Sequence, residues 1–451
     1  MSIPSPCWFP EVRSAIETTA TARSVLKRIY LEALEAVRGE GLVKTLGAPH
    51  GDRWHIRHCG EAIDWPFAPG GRIVVIGAGK AASSLARGLE ALLGDRISDG
   101  CIIVKHGHDE PLDRIRQLHA GHPLPDAQGV DATAEMLRTV EGLTERDSVI
   151  VLLTGGASAL MVAPVDGVTL EEKAAVTDML LRSGASIEEI NAVRKRLSRV
   201  KGGRLLDHVG PASVLTLLMS DVPSGDLCMI GSGPTFAGGE GDADPMAILA
   251  RYGLEQRVSA SIRHALAQDV HRAPEVTGRR EALLLADSGT LVEAVHGIAA
   301  RERLAVRNVD TAMAGNTHDA AHAMVAALRA APRQERPVLL VSAGETTLEV
   351  KGDGLGGRNQ EHALVAAMAL AGEERAALLS AGTDGTDGPT DAAGAFADGA
   401  LCDRARAAGL DPAEMLARND SYRLFDATGD LFRTGPTGTN VMDLQILLRS
   451  P

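Results

Sequence analysis

The apolar positions of this chain fall into short uninterrupted runs separated by stretches with helical spacing. A first helix is predicted where Val25, Ile29, Leu31, Leu34 and Val37 recur at roughly helical intervals. The runs that follow are RIVVIGAG (from Arg72), CIIVKHG (from Cys101), RQLHAG, VIVLLTGG (from Val149) and SVLTLLMSD (from Ser213), with helices predicted over Ala81–Leu93 and along DATAEMLRTVEGL. Runs that are apolar on both faces and alternate with helices indicate a parallel sheet covered on both sides.

Two further helices have marked starts, because Thr169 with Glu172 and Ser186 with Glu189 form capping boxes. The second of these helices has an apolar face (Ile190, Val193, Leu197, Val200) and a set of cations (Arg194, Lys195, Arg196, Arg199, Lys201) before the pair Gly202-Gly203. The cations form a solvated surface or border an anionic ligand, and the sequence leaves both interpretations open.

Residues near 235–280 are rich in glycine, proline and charge and contain the predicted domain boundary. We predict a Rossmann-like domain over residues 1–270 and a second domain over 271–451. The runs ALLLADS, AVRNVD, PVLLVSAGE, TTLEVKG, AALLSAG and VMDLQILL are predicted to supply the strands of the second sheet. TTLEVKG alternates apolar and polar residues, as an exposed antiparallel strand does, so this sheet is expected to be mixed. The predicted fold class is α/β, with two three-layer domains.

Composition narrows the class of protein. The chain has 451 residues, 45% of them hydrophobic and 23% charged, as in a folded protein of two domains. A formal net charge of −13 and an aromatic content of 3% argue against a nucleic-acid partner. The scattered cysteines indicate a reduced compartment, and neither a secretory signal nor an apolar run of membrane-spanning length occurs. We expect a cytoplasmic enzyme without a membrane partner.

Three glycine-rich segments in the last quarter of the chain carry the strongest functional signal. They are GDGLGGRNQEHAL (from Gly352), SAGTDGTDGPTDAAGAFADG (from Ser380) and RTGPTGTNVMDLQILL (from Arg433), and each lies beside an apolar run. Glycine lets the backbone approach a ligand and leaves N–H groups available to phosphate oxygens. The side chains between the glycines, namely Arg358, Asn359, Asp384, Asp387, Asp391 and Asn440, suit a phosphate and a hard cation.

A strand, a glycine turn and a helix start follow one another in VVIGAGKAASSL. Gly77 and Gly79 resemble a dinucleotide fingerprint, but the next strand ends in Lys105 rather than in the acidic residue that would hold a ribose. The spacing of a Walker loop is also absent. What remains is Lys80 in a glycine turn at a helix start, a position suited to an anion.

Two later turns repeat this design. LLTGGASAL places Gly155, Gly156 and Ser158 after a strand, in a turn that suits a carboxylate or a phosphate. Asp221 stands at the carboxyl end of the next strand, where it can bind magnesium or accept a proton, and Asp226 is a second candidate metal ligand.

Two other arrangements lack support. The histidines His106, His108, His119 and His122 are close in sequence but lack the helical spacing of a zinc hydrolase and any supporting cysteine. A hydrolase triad of Ser158, His122 and Asp221 lacks a nucleophile elbow, since no G-x-S-x-G motif occurs.

Taken together and in order, the strings GAGKAA, AGHPLPDAQG, GGASAL, INAVRKRLSRVKGGRL, SDVPSGD, GSGPT, GGRNQE, GTDGTDGPTDAAGA and TGPTGTNVMDL resemble the glycerate 2-kinase family. The carboxy-terminal portion of that family is called the MOFRL domain, placed here at about residues 335–447. The resemblance covers the chain from about Arg72 to its end. It implies phosphorylation of D-glycerate at the 2-hydroxyl by ATP with Mg²⁺, and two α/β domains with the active site in the cleft between them.

The resemblance also implies roles for individual residues. By motif, Lys80 and Arg358 are the cationic pair at the reaction centre, and Asp221 is the catalytic or metal-binding carboxylate. The remaining residues expected to bind substrate, nucleotide or metal are Gly77, Gly79, Gly155, Gly156, Ser158, Asp226, Asp384, Asp387, Thr439 and Asn440. A homodimer is kept as an option for the assembly.

Four departures from the family pattern leave the substrate open. Ala157 and Ala343 each replace a glycine, Ala286-Asp287-Ser288 replaces a Gly-Ser-Asn, and AGNTHDAA around Asn316 replaces a Gly-Glu-Ala-Arg segment. A sugar acid other than glycerate is therefore an alternative substrate. An NAD(P)H-dependent reductase of hydroxypyruvate or tartronate semialdehyde, with Lys105 at a 2′-phosphate, is a rival function, and a sugar-phosphate-binding regulatory module without turnover is another.

Overall fold

The structure is a computed structural model that describes residues 19–222, 225–236, 243–268, 277–332 and 336–451. The predicted domain boundary at 270/271 lies outside the described residues. The strands are β1 (Arg53–His58), β2 (Glu61–Pro66), β3 (Ile73–Ala78), β4 (Ile97–Lys105), β5 (Arg116–Ala120), β6 (Ser148–Leu153), β7 (Ser213–Met219), β8 (Arg280–Ala286), β9 (Ala305–Met313), β10 (Val338–Gly344), β11 (Ala376–Gly382), β12 (Gly394–Asp398), β13 (Leu431–Phe432) and β14 (Asp443–Arg449).

The α-helices are α1 (Thr19–Ala36), α2 (Gly39–Thr45), α3 (Ala82–Leu93), α4 (Ala127–Thr139), α5 (Ala157–Leu160), α6 (Leu170–Arg182), α7 (Ile187–Arg196), α8 (Leu205–Val209), α9 (Pro245–Arg251), α10 (Ala260–Ala267), α11 (Ser288–Arg301), α12 (Thr317–Ala330), α13 (Arg358–Ala369), α14 (Leu401–Ala407), α15 (Pro412–Ala417) and α16 (Ser421–Thr428). Short 3₁₀ helices cover Gly94–Arg96 and Leu227–Ser232. No helix in the described ranges has both the length and the apolar character needed to cross a membrane.

Contacts group the chain into two compact units. Unit 1 contains residues 1–37, 287–437 and 441–451, and unit 2 contains residues 38–286 and 438–440. From Thr19 onwards the described chain lies in unit 1, enters unit 2 at Arg38, returns to unit 1 at Asp287 and contributes Gly438–Asn440 to unit 2.

The sheet of unit 2 confirms the predicted Rossmann-like architecture. Its order is β5-β4-β3-β6-β7-β8, and every neighbouring pair is parallel. Numbered from β3, this is the order 3-2-1-4-5-6 of dinucleotide-binding folds. The strand order reverses between β3 and β6, and open sheets of this kind bind ligands at the carboxyl ends of the two strands beside that reversal.

Two elements of unit 2 differ from the sequence prediction. The run ALLLADS was expected in the second sheet, but it forms β8, which pairs in parallel with β7. The prediction placed this strand in the second sheet because it follows the glycine-rich region in the chain. It is wrong because the strand pairs with β7 and forms the edge of the first sheet. The antiparallel hairpin of β1 and β2 was not predicted.

The helices of unit 2 bury the apolar stripes read from the sequence. Both predicted capping boxes are present, at the starts of α6 and α7. All four residues of the predicted apolar face are buried, but α7 ends at Arg196, so the prediction of a helix that reaches Val200 is wrong. Ile190 and Val193 pack with α6, α9 and α10 in a helical cluster of their own. A second cluster joins β3, β4 and β6 to α4 and α5.

Unit 1 contains a mixed sheet, as predicted, with the order β13-β12-β11-β14-β10-β9. β14 lies between β10 and β11 and is antiparallel to both, whereas β9 and β10 are parallel. The prediction that TTLEVKG forms a strand is wrong, since this segment makes only an isolated β-bridge, between Thr347 and Asn316. Its last amides, at Lys351 and Gly352, donate to Asn419 Oδ1 at 2.8 and 3.0 Å, so a side chain takes the place of a neighbouring strand.

Asp147 joins the starts of β3 and β6, and this contact generates a stability prediction. Its carboxylate accepts hydrogen bonds from the backbone N–H groups of Arg72 and Thr144, both at 2.7 Å. Burial alone would raise the pKa of Asp147, but hydrogen bonds from these two residues outweigh it and lower the pKa to about 2. We expect Asp147→Ala to reduce the free energy of unfolding by about 2 kcal/mol at neutral pH.

The loss should depend on pH with a defined sign. Because the folded pKa lies below the unfolded value of about 3.9, the carboxylate stabilises fully above about pH 4 and less as the pH falls towards 2. Denaturant unfolding at several pH values measures this. Asp95→Ala is the control, since that side chain is 95% exposed and pairs with Arg114 at the surface. An equal loss for the two variants, or a loss at Asp147 that persists unchanged at pH 2, would contradict the prediction.

Candidate functional site

Two glycine turns of unit 2 meet where the strand order reverses. Lys80, in the turn after β3, donates its backbone N–H to Gly155 O at 2.9 Å, in the turn after β6. Ala81 N donates to Thr154 Oγ1 at 3.1 Å. Because β3 and β6 are adjacent and parallel, the two predicted anion-binding turns lie side by side.

Glycine is required at this meeting point. A Cβ on Gly79, whose φ is +138°, would lie 2.0 Å from Thr154 Oγ1. A Cβ on Gly155 would lie 1.8 Å from Asn440 Nδ2 and 2.1 Å from Asp221 Oδ2. The turn therefore has room for its polar neighbours only because Gly155 has no side chain.

Asp221 and Asn440 lie together over this turn. Asn440 Nδ2 donates to Asp221 Oδ2 at 3.3 Å. Asn440 belongs to the short stretch 438–440 that groups with unit 2, and Gly39 N donates to Gly438 O at 3.1 Å within that unit. Two predicted site residues that are 219 positions apart in the chain are thus brought into contact.

The second glycine of the turn places Lys80 beside a histidine. A Cβ on Gly156, whose φ is +85°, would lie 3.0 Å from His122 Cδ2 and 3.4 Å from Lys80 Cγ. His122 was considered in the sequence only for a metal site or a hydrolase triad. Its position against the turn was not foreseen, because residues of different strands meet there.

The turn after β6 also presents backbone donors. Within the described part of the chain, the N–H groups of Gly155, Gly156 and Ser158 are hydrogen-bonded to no backbone carbonyl, whereas Ala157 N donates to Thr154 O. Successive N–H groups in such a turn form a concave site for an anion.

Asp226 differs from Asp221 in its surroundings. It is exposed and accepts a hydrogen bond from Cys228 N at 2.9 Å, so it caps the 3₁₀ helix Leu227–Ser232. Among the described residues, no group of three or more His, Cys, Asp or Glu side chains is arranged to hold a metal ion.

In unit 1, the guanidinium of Arg358 is held by two carboxylates. Its Nε and Nη2 donate to Asp443 at 2.6 and 2.8 Å, and its Nη1 lies 2.7 Å from Glu345 Oε1. Asp443 is buried, whereas the Glu345 side chain is 40% exposed. Burial alone would lower the pKa of Arg358, but Asp443 and Glu345 raise it above its ordinary value, so the side chain stays charged. The hydrogen bonds to Asp443 fix the orientation of the guanidinium plane.

Asp387 has a structural role at the start of the same helix. Its carboxylate accepts from Asn359 N at 3.0 Å and Gln360 N at 2.8 Å, the first amides of α13. Gly357 allows this approach, since a Cβ there would lie 2.3 Å from the Asp387 carboxyl carbon. Burial raises the pKa of Asp387 to about 6, although the two amides oppose that shift.

The glycine-rich segments meet within unit 1. Asp384 accepts from Thr386 N at 2.9 Å, and Thr383 N donates to Met442 O at 3.0 Å. A Cβ on Gly388 would lie 2.3 Å from Gly356 O. Tyr30 of α1 donates to Gly382 O at 2.9 Å, a contact that the sequence did not predict.

The departures from the family pattern have structural roles here. Ala157 and Ala343 are fully buried. Asp287 caps α11 with a capping box, and Asn316 caps α12 by accepting from His318 N and Asp319 N.

Comparison with known proteins identifies the family of the chain. A family described as a domain of unknown function, DUF4147, matches residues 25–267, and the MOFRL family matches residues 338–443. The D-glycerate 2-kinase of Thermotoga maritima is 41% identical over 380 residues, which cover 83% of this chain and 90% of that protein. An Agrobacterium vitis protein with the provisional name of hydroxypyruvate reductase is 39% identical, over 85% of this chain and 88% of its own.

A crystal structure of glycerate kinase from Thermotoga maritima matches with a TM-score of 0.79 and 37% identity, and covers 95% of this chain and 100% of that one. The reductase name is therefore no better supported than the kinase names, which recur among the relatives and in a matching structure. On sequence and on structure, the chain belongs to the glycerate 2-kinase family.

Proposed function

We propose that this protein transfers the γ-phosphoryl group of ATP to the 2-hydroxyl of D-glycerate or a closely related sugar acid, giving the 2-phosphate and ADP. As a member of the glycerate 2-kinase family it is a phosphotransferase with an alcohol group as acceptor. One observation carries the proposal: Lys80, the turn at Gly155 and the Asp221–Asn440 pair lie together where the strand order reverses.

Lys80 and the glycine turns supply positive charge for the transferring group. Phosphoryl transfer depends mainly on positioning and on neutralising charge that spreads over the phosphoryl oxygens. The Lys80 ammonium supplies positive charge. The N–H groups of Gly155 and Gly156 position the phosphoryl oxygens, because they belong to backbone that is already fixed. Gly77 and Gly79 serve this arrangement by letting the turn after β3 pack against β6.

Asp221 fits either of two roles at this turn. Its carboxylate lies beside a glycine that leaves space next to it, so it can accept the proton of the attacking hydroxyl. In proteins Mg²⁺ is commonly bound through one or two carboxylates together with substrate phosphates and water, and Asp221 would supply such a carboxylate. When bound, Mg²⁺ would neutralise charge on the ATP phosphates. Asp226, being exposed and engaged as a helix cap, is the weaker candidate ligand.

Arg358 of unit 1 is proposed to bind a substrate anion, in the cationic role that the resemblance implies. Asp443 is buried and fixes the plane of the guanidinium, whereas the more exposed Glu345 can be exchanged for a substrate anion. Asp384 and Asp387 are proposed to shape the binding surface of unit 1, and Thr439 and Asn440 that of unit 2. For Asp387 this means holding the start of α13 and hence Arg358.

The location and the assembly of the protein are separate from the proposed reaction. A cytoplasmic location and a homodimer stay predictions. ATP and a small sugar acid are the partners that we propose, with Mg²⁺ as the metal.

The reaction is tested by incubating the protein with MgATP and a panel of sugar acids, and then adding enolase. Phosphoenolpyruvate formed from D-glycerate without a mutase would establish both the substrate and the 2-position, since a 3-phosphate would require a mutase first. Loss of NADPH absorbance with hydroxypyruvate, without ADP formed from any sugar acid, would instead favour the rival reductase.

Lys80→Ala is expected to lower kcat by on the order of a hundredfold, because it removes a cation that acts mainly in the transition state. ADP release gives the rate, and thermal unfolding shows that the fold is retained. Lys44→Ala is the control, since Lys44 is half-exposed and pairs with Glu40 in the same unit. Near-normal turnover in the Lys80 variant would remove this residue from the mechanism.

Arg358→Ala should lower both turnover and stability. Removing the guanidinium leaves Asp443 buried without its partner, at a cost of about 3 kcal/mol or more in unfolding free energy. The double variant Arg358→Ala/Asp443→Asn separates the two effects, because it removes the stranded charge. We expect this variant to recover much of the stability and none of the turnover; recovery of both would show that Arg358 is only structural.

A further inference from the structure

Unit 2 contains a buried lysine that the mechanism above does not use. Lys201 is 1% exposed, and its Nζ donates to Ser158 O and to Ser158 Oγ, both at 2.6 Å. Within the described ranges, Lys201 forms no ion pair with a carboxylate. The sequence had suggested a solvated cation or one bordering a ligand, and the structure places it beneath the turn after β6.

The surroundings of Lys201 disfavour its charge. Burial, reinforced by the cations Lys173 on α6 and Arg194 on α7, lowers the pKa of Lys201 well below its ordinary value. Its contacts with Ser158 are to a carbonyl and a hydroxyl, neither of which carries a compensating charge. A buried ammonium in such a place is stabilised only if an anion comes close.

Ser158 connects the lysine to the turn that faces ligands. Its hydroxyl lies 3.0 Å from Ser232 Oγ, and Ser232 donates to Asn191 Oδ1 at 3.3 Å. Ser158 is partly exposed, whereas Ser232 and Asn191 are buried, so the hydroxyl stands at the outer end of a buried polar chain. Its own backbone N–H, with those of Gly155 and Gly156, belongs to the proposed anion site.

We propose that Lys201 is a positioning residue that couples anion binding to proton uptake: a carboxylate or phosphoryl group bound at Ser158 draws a proton onto the Lys201 amine. This inference rests on the proposed function only in that an anion occupies the turn. The protonated Lys201 keeps its hydrogen bond to Ser158 Oγ, and the hydroxyl hydrogen of Ser158 turns from Ser232 Oγ to the anion. Binding should weaken as pH rises, because more of the free protein must take up a proton.

The test is isothermal titration calorimetry in buffers of different ionisation enthalpy, between pH 6 and 9. One arm uses D-glycerate, and the other uses a non-hydrolysable ATP analogue with Mg²⁺, so that the arms show which anion occupies the turn. We expect uptake of up to about one proton in one arm, and a dissociation constant that rises by up to about tenfold per pH unit in the upper part of the range.

Lys201→Arg provides the decisive comparison, because arginine stays charged throughout this pH range. This variant should bind the same anion without the uptake assigned to Lys201, and more tightly than the wild type at pH 9. His122 and Lys80 also face the turn and remain in the variant, so only the uptake that the substitution removes is assigned to Lys201. Lys44→Met is the control: it removes a half-exposed lysine that pairs with Glu40, and it should retain the uptake.

The outcomes separate this inference from the proposed function. Equal uptake and equal pH dependence in the wild type and Lys201→Arg would overturn the role of Lys201, even if glycerate is phosphorylated normally. Absence of glycerate phosphorylation, with uptake still dependent on Lys201, would overturn the proposed reaction and leave the coupling intact. If Lys201→Arg does not fold, Ser158→Ala replaces it: loss of uptake supports the coupling through the hydroxyl, and unchanged uptake overturns it.

Discussion

The hydrogen bond from Lys80 N to Gly155 O is the interaction on which the candidate site depends. It exists because β3 and β6 are parallel neighbours, although Lys80 and Gly155 are 75 positions apart in the chain. Glycine at 79 and 155 lets the two turns approach one another and lets Asp221 and Asn440 lie above them. The site therefore follows from strand order and from the absence of two side chains.

One cation in each unit has a different set of partners. In unit 1, Arg358 is matched by Asp443 and Glu345, so its cation exists before any substrate arrives and its orientation is fixed. In unit 2, Lys201 has hydroxyl and carbonyl partners and cationic neighbours. A paired charge gives a rigid, permanent electrostatic contribution, whereas an unpaired amine responds to what binds near it.

The fold was predicted well from the sequence where the signal is local. Uninterrupted apolar runs gave the strands of the parallel sheet, and the capping boxes gave the starts of α6 and α7. Prediction failed where long-range partners decide, as for TTLEVKG, whose last amides bond to Asn419 rather than to a strand. It also failed for β8, since nothing in its residues says which sheet has an edge for it.

The candidate site was predicted in the same uneven way. Glycine turns made Lys80 and Asn440 candidates, the end of a strand made Asp221 one, and the fold brings Asp221 and Asn440 into contact. Asp443 and Glu345, the partners of Arg358, were missed because complementary charge is visible only after the strands are placed. The burial of Lys201 was missed for a similar reason, since a cation before two glycines is typical of a solvated helix end.

The membership of α1 in unit 1 has a practical consequence for dissecting this protein. Tyr30 hydrogen-bonds to Gly382 and its ring meets that of Phe432 edge to face, while Arg23 pairs with Asp398 and Asp430. A truncated fragment beginning at Asp287 would leave those acids and that aromatic surface uncovered. The MOFRL portion is therefore not expected to fold as an independent module. Chimaeras between relatives need α1 and the sheet of unit 1 from the same parent.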